Sequence, residues 1–200
     1  MENYDVIVIG ASIAGSAFAK KAASEGKRIL LIDKLKFPRD RLSTHFMWPR
    51  GVSYLNRLGV ADRILSKTPH FKEMEVSIEG INLKGSIPIN ELEKRFSLLH
   101  GSTSSLTNFY CGPRRTLLDS ELLLSAIEQV VDFKPEVEFS SVITGGDSAV
   151  GISMNTISGA SFTASARLIV AADGKSSPFA NAVNSDFFDY RTESSFAFFG

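Results

Sequence analysis

Residues 5–34 read DVIVIGASIAGSAFAKKAASEGKRILLIDK, and the order of apolar runs, small residues and one closing acid decides the fold. The run Val6 to Ile9 has the length of a buried strand and stops at Gly10. Small residues lead into a helical stretch from about Ile13 to Ser24, with Gly26 where a helix stop is expected. A second apolar run, Ile29 to Ile32, ends on Asp33. The unit is strand–turn–helix–strand, with a phosphate-sized gap at the turn.

Each part has a physical task. Gly10 permits the tight turn, Ser12 stands where the backbone passes close to a pyrophosphate, and Gly15 lets the helix pack on the strand. The N–H groups of the helix start, at Ile13 and Ala14, face the phosphate with the helix dipole behind them. Asp33, next to Lys34, is placed to accept hydrogen bonds from both hydroxyls of an adenosine ribose, at about the 20-residue distance the fingerprint asks for. The usual G-x-G-x-x-G pattern carries a glycine where this chain has Ser12, whose Cβ takes up some of the close approach. The competing reading is an ordinary βαβ crossover whose glycines serve packing alone.

The 200-residue length suits one large or two small domains. With 22 basic and 22 acidic residues scattered along the chain, no patch favours a nucleic acid. One cysteine, Cys111, excludes an internal disulfide and fits a reducing compartment; it reads as a small, half-buried hydrophobe. The apolar stretch Val6 to Ala19 is too short for a transmembrane segment and follows Glu2 and Asp5 rather than a basic leader. A cytoplasmic protein is therefore expected. His45, His70 and His100 are dispersed, so no metal site is expected.

Residues 34–48 form a long loop rich in Arg, with Arg39, Arg41, His45 and Trp48. Pro49 opens an amphipathic helix closed by Gly59, and ADRILSK makes a further short helix. Glu73 to Ile89 alternates around Gly80 and Gly85 as antiparallel strands with one wet face. Leu92 to Asn108 reads as a polar loop. Arg114 to Phe133 returns to a helical period, with Thr116 as its N-cap. A short strand at Val137 to Phe139 precedes a β-meander over Val142 to Ala164, and the buried strand Arg167 to Ala172 runs into Asp173–Gly174. Phenylalanine is common, at 15 residues, with clusters at Phe187–Phe188 and Phe196 to Phe199, as core or as a pocket lining. The chain stops in that apolar run, as the N-terminal part of a longer protein would.

The first unit, the RRTLLD helix start and the AADGKSS loop together resemble the FAD-dependent monooxygenases of the para-hydroxybenzoate hydroxylase type, with their geranylgeranyl reductase and halogenase relatives. The resemblance implies an α/β fold: a Rossmann-like, three-layer FAD-binding domain with an inserted, incomplete antiparallel substrate-domain sheet. It divides the chain into residues 1–72 and 113–184 for FAD, 73–112 for substrate-domain strands, and 185–200 for the start of a further strand. It implies that Arg115 reaches the FAD phosphates, that Asp173, Gly174 and Ser177 form a second cofactor loop, and that the 37–59 stretch lies over the flavin. His45 and Arg50 in that stretch are candidates for tuning the ring or touching substrate. The implied chemistry is reduction of FAD by NAD(P)H and oxygenation of a small-molecule substrate. A prenyl double-bond reductase, a flavin-dependent halogenase and a flavin-free binding protein on the same fold stay open. Ser43, Thr44 and His45 replace the Cys-Gly segment common in the reductases, and this favours the hydroxylase.

Overall fold

The computed structural model describes residues 1–43, 45–86, 88–100 and 106–186. The elements run β1 (Glu2–Ile9), α1 (Ile13–Ser24), β2 (Ile29–Asp33), α2 (Pro49–Arg57), α3 (Ala61–Leu65), β3 (His70–Phe71), β4 (Glu73–Ile78), β5 (Ile81–Ser86) and α4 (Ile89–His100). There follow β6 (Tyr110–Cys111), α5 (Arg115–Ile127), β7 (Asp132–Pro135), β8 (Val137–Gly145), β9 (Ser148–Thr156), β10 (Ser161–Ala171) and α6 (Pro178–Ala182). The chain divides into two compact units, Met1–Leu42 with Leu122–Gly200, and Ser43–Glu121.

In the first unit six strands form one sheet in the order β7-β2-β1-β10-β9-β8. β1 is parallel to both β2 and β10, and β2 is parallel to β7. The helical connection between β1 and β2 gives the parallel pairing its crossover. β10 belongs to two arrangements: its first residues pair antiparallel with β9, and from Ala164 onward it pairs parallel with β1. The meander and the buried strand read separately in the sequence are thus one continuous strand at their junction. β8 likewise extends the short strand expected at Val137 to Phe139 as far as Gly145.

Side-chain alternation builds the three layers. Val6, Val8, Ile29 and Leu31 face a cluster containing Ala19 of α1 and Leu123 and Ala126 of α5. Ile7, Ile9, Leu30 and Ile32 face the opposite cluster, with Val137, Ile152 and Met154 from the folded-over meander. Both faces are covered, which is why β1 and β2 read as uninterrupted apolar runs.

The second unit holds the β3–β6 pair, the β4–β5 hairpin, α2, α3 and α4. Three expectations are corrected here. α4 begins at Ile89, where strand was expected, and residues 92–100 are helical rather than loop, because Ile89, Leu92, Phe96 and Leu99 recur at helical spacing after Pro88. α5 begins at Arg115, so Thr116 lies inside its first turn, and the Arg114 carbonyl accepts the N–H groups of Leu117 and Leu118. The β4–β5 hairpin is exposed on both faces: Val76, Ile78, Ile81 and Leu83 are more than two-fifths exposed. Cys111 is fully buried, and burial pushes its thiol above the ordinary value. The phenylalanines beyond 186, and the strand expected there, lie outside the described residues.

Candidate functional site

In the first unit, two of the stretches singled out in the sequence, residues 5–34 and the Asp173–Gly174 loop, come to the carboxyl ends of neighbouring parallel strands. Gly10 follows β1, Asp33 closes β2, and Asp173 and Gly174 follow β10. β1 lies at the switch point of the parallel sheet, with β2, the next strand in the chain, on one side and β10, the last, on the other.

The glycines are dictated by contact. A Cβ on Gly15 would lie 1.7 Å from the Gly10 carbonyl oxygen and 3.3 Å from Val8 Cγ1. One on Gly10, at φ +98°, would lie 2.4 Å from the Ala172 carbonyl oxygen and 3.1 Å from Asp173 Cα. The turn, the helix start and the Asp173 loop are therefore in backbone contact. Ser12 sits at the N-cap of α1 with φ −77°, a conformation any L-residue adopts, so serine replaces glycine here without backbone strain. Its side chain makes no capping bond, and no acid stands in the first turn. Ile13 and Ala14 are exposed there. By helix geometry the first N–H groups have no intrahelical acceptor, so this end of a 12-residue helix is suited to an anion. Ser16, wholly buried, donates its hydroxyl to the Ala11 carbonyl at 2.7 Å and braces the turn.

Asp33 is 5% exposed, and both of its oxygens are engaged. Oδ2 accepts from the Ala11 N–H at 2.8 Å, which ties the acid to the turn. Oδ1 accepts from the Leu35 N–H at 2.9 Å. Arg39 closes a fork on the same carboxylate, Nη1 to Oδ1 at 2.6 Å and Nη2 to Oδ2 at 3.0 Å. The sequence shows Arg39 as one of the loop arginines, with nothing in it that pairs the guanidinium with Asp33. Lys34 is exposed beside this pair. On the other side, Asp173 Oδ2 accepts from the Phe179 N–H at 3.4 Å, and Ser177 Oγ accepts from the Ala180 N–H at 2.9 Å to cap α6. Gly174 takes φ +97° in open space.

The donor set fits a dinucleotide diphosphate: a helix end without an acid, glycine turns in contact, and a carboxylate tied to the turn. Residues 3–199 match the family described as FAD binding domain. The chain belongs to that family. A segment of 66 residues is 41% identical to menaquinone reductase of Mycolicibacterium smegmatis, covering 33% of this chain and 16% of that protein. A match of 58 residues is 38% identical to squalene epoxidase 6 of Arabidopsis thaliana, covering 29% of this chain and 11% of that protein. Among solved structures, the myxobacterial chondrochloren halogenase CndH superposes with a TM-score of 0.73 at 25% identity, over 89% of this chain and 39% of its own. The matches thus span about a tenth to two-fifths of these relatives' lengths.

The remaining candidates belong to the second unit. Arg115 grips Asp119 side-on, Nε to Oδ1 and Nη2 to Oδ2 both at 2.9 Å, and Asp119 is fully buried. His45 takes φ +51°, and its Nδ1 is buried without a partner among the described residues. Arg50 is exposed on α2 with its guanidinium 5.9 Å from the Tyr54 ring centre, and its hydrogen bond lowers the Tyr54 phenol below the ordinary value. Among the described residues, no three His, Cys, Asp or Glu side chains are grouped to hold a metal ion. No helix among them is long and apolar enough to cross a membrane.

Proposed function

We propose that this chain carries the adenosine- and pyrophosphate-binding part of an FAD-dependent monooxygenase that takes electrons from NAD(P)H and oxidises a small organic substrate. The observation that carries the reading is the tie between Ala11 and Asp33 at the switch point, which sets a ribose-binding acid against an acid-free helix end. In this reading the backbone from Gly10 through Ser12, Ile13, Ala14 and Gly15 holds the pyrophosphate. Asp33 and Lys34 serve the adenosine end, and Asp173, Gly174 and Arg115 make further cofactor contacts. When bound, FAD supplies the redox chemistry, taking an electron pair from NAD(P)H and passing it on. The chain's own residues bind and orient it, without a covalent bond, and His45 or Arg50 addresses the ring or the substrate.

The experiment is NAD(P)H oxidation by the flavin-loaded protein, followed with an oxygen electrode. Stoichiometric oxygen uptake, with peroxide released when substrate is withheld, is the expected result. A second reading, reduction of a prenyl double bond, draws on the 41% identity to a menaquinone reductase. It wins if anaerobically reduced flavin persists in air and hydrogenates an isoprenoid. A colourless protein that binds no flavin defeats both.

A further inference from the structure

We propose that Arg39 is an exchangeable latch on Asp33: its guanidinium holds the two acceptor positions that the adenosine ribose hydroxyls take, and it yields them when the nucleotide binds. The proposal rests on the reading of the Gly10–Asp33 unit as the adenosine site.

An ionised carboxylate has about four lone-pair positions. At Asp33 four donors fill them: the N–H groups of Ala11 and Leu35 and the two Nη atoms of Arg39. Two ribose hydroxyls therefore have no place until two donors leave. The Ala11 N–H belongs to the turn and the Leu35 N–H to the chain leaving β2, so neither leaves without moving backbone. Arg39 is held by a side chain and is the pair that can go.

The surroundings of Arg39 favour such an exchange. The fork meets Asp33 end-on, and this leaves Nε on its flank, buried and without an acceptor among the described residues. An unpaired buried donor is unfavourable, so letting go of Asp33 relieves Nε and offsets part of the lost pair. The guanidinium also lies 4.5 Å from the centre of the Phe37 ring, which is anchored edge-on to Phe133 at 5.9 Å. A cation stacked on a fixed ring keeps that contact while it swings. Arg39 thus acts through Asp33 and is a positioning residue. It keeps a buried carboxylate paired and sets how strongly a ribose hydroxyl is read.

The test compares ADP with 2′-deoxy-ADP, titrated calorimetrically into flavin-stripped protein. The two probes carry the same phosphates, so their affinity ratio cancels the pull of the helix end and of any cation on the phosphates. In the unsubstituted protein the 2′-hydroxyl gains one bond to Asp33 at the expense of one from Arg39, and the ratio is small. In Arg39→Ala nothing is displaced, and the ratio rises about tenfold, the effect of one charged hydrogen bond. Arg39→Lys, which keeps the charge but has no fork, gives a rise between the two and decides the matter if the alanine variant fails to fold. A ratio that stays the same or falls in these variants overturns the latch, since it makes Arg39 a fixed brace for Asp33. Asp33→Asn in the Arg39→Ala background removes the ionised acceptor and is expected to bring the raised ratio back near one. If the preference survives there with ADP still bound, the hydroxyl is read elsewhere and the latch fails while the phosphate site stands. If the unsubstituted protein binds neither nucleotide, the reading of the site fails, and the latch with it.

Discussion

Gly15, in the first turn of α1, and Gly26, just past its end, lie eleven residues apart, and the sequence reads the first as a packing contact and the second as a helix stop. Their surroundings separate them. At Gly26, φ is +76° and a methyl would meet nothing, so Gly26→Ala is expected to cost only about 1–2 kcal/mol of backbone strain. At Gly15 the added atom would sit 1.7 Å from a carbonyl oxygen, so the turn must open, and Gly15→Ala is expected to exceed about 4 kcal/mol. Urea midpoints of the two variants measure the gap, and equal midpoints would contradict the close turn. Asp33→Ala removes a buried acceptor of four donors. In the Arg39→Ala background, where no donor has to leave, this loss is expected to weaken FAD retention by roughly 1.5–3 kcal/mol, read as the shift in the flavin dissociation constant. Undiminished retention would remove Asp33 from the adenosine site.

At the scale of elements, α6 is short and depends on its start. Ser177 Oγ accepts the Ala180 N–H, Pro178 occupies the first position, and Asp173 accepts the Phe179 N–H. A five-residue helix has little intrinsic stability, so these bonds and the buried Phe179 ring hold it beside the Asp173–Gly174 loop. Ser177→Ala is expected to cost about 1 kcal/mol and to speed hydrogen exchange first at Ala180 and Asn181. Unchanged exchange at those amides would show that packing alone holds the helix. β10 presents the opposite case: eleven residues long, it is secured by β9 at one end and β1 at the other. It delivers Asp173 to the site.

Across the first unit as a whole, the amino ends of the parallel strands carry a polar knot. The Tyr4 hydroxyl donates toward Asp132 at 2.5 Å and also meets Glu2, while the Arg28 guanidinium lies 4.6 Å from the Tyr4 ring centre. Burial first, and then the two carboxylates, raise the phenol's pKa far above its ordinary value near 10. The native state therefore keeps a proton that the unfolded chain releases above about pH 10. The stabilisation is full below that pH and is lost as pH climbs toward the folded value. Tyr4→Phe is expected to be less stable than the unsubstituted protein at pH 8, with the difference narrowing steadily above pH 10. Guanidinium titrations at several pH values follow that difference, and one that widened in alkali would reverse the sign.

The local pattern of residues 5–34 was enough to specify strand, turn, helix and strand, because a buried parallel strand must be apolar on both faces and a close turn must be glycine. The glycine turn at Gly10 and Gly15 and the strand end at Asp33 were legible for that reason, while the FAD-binding family was legible through the resemblance carried by residues 5–34, RRTLLD and AADGKSS together. Periodicity misread residues 92–100, where charges between the apolar positions masked the helical spacing. Other features exist only in three dimensions. That β10 serves two pairings, and that the β4–β5 hairpin leaves both faces exposed, depends on which strands meet rather than on any one strand's residues. The Arg39 fork on Asp33 is of the same kind. A loop arginine and a strand-ending acid carry no mark of each other in the sequence. Only the path of residues 34–38 brings a guanidinium onto a carboxylate already tied to the turn by Ala11, and so decides what a ribose must displace.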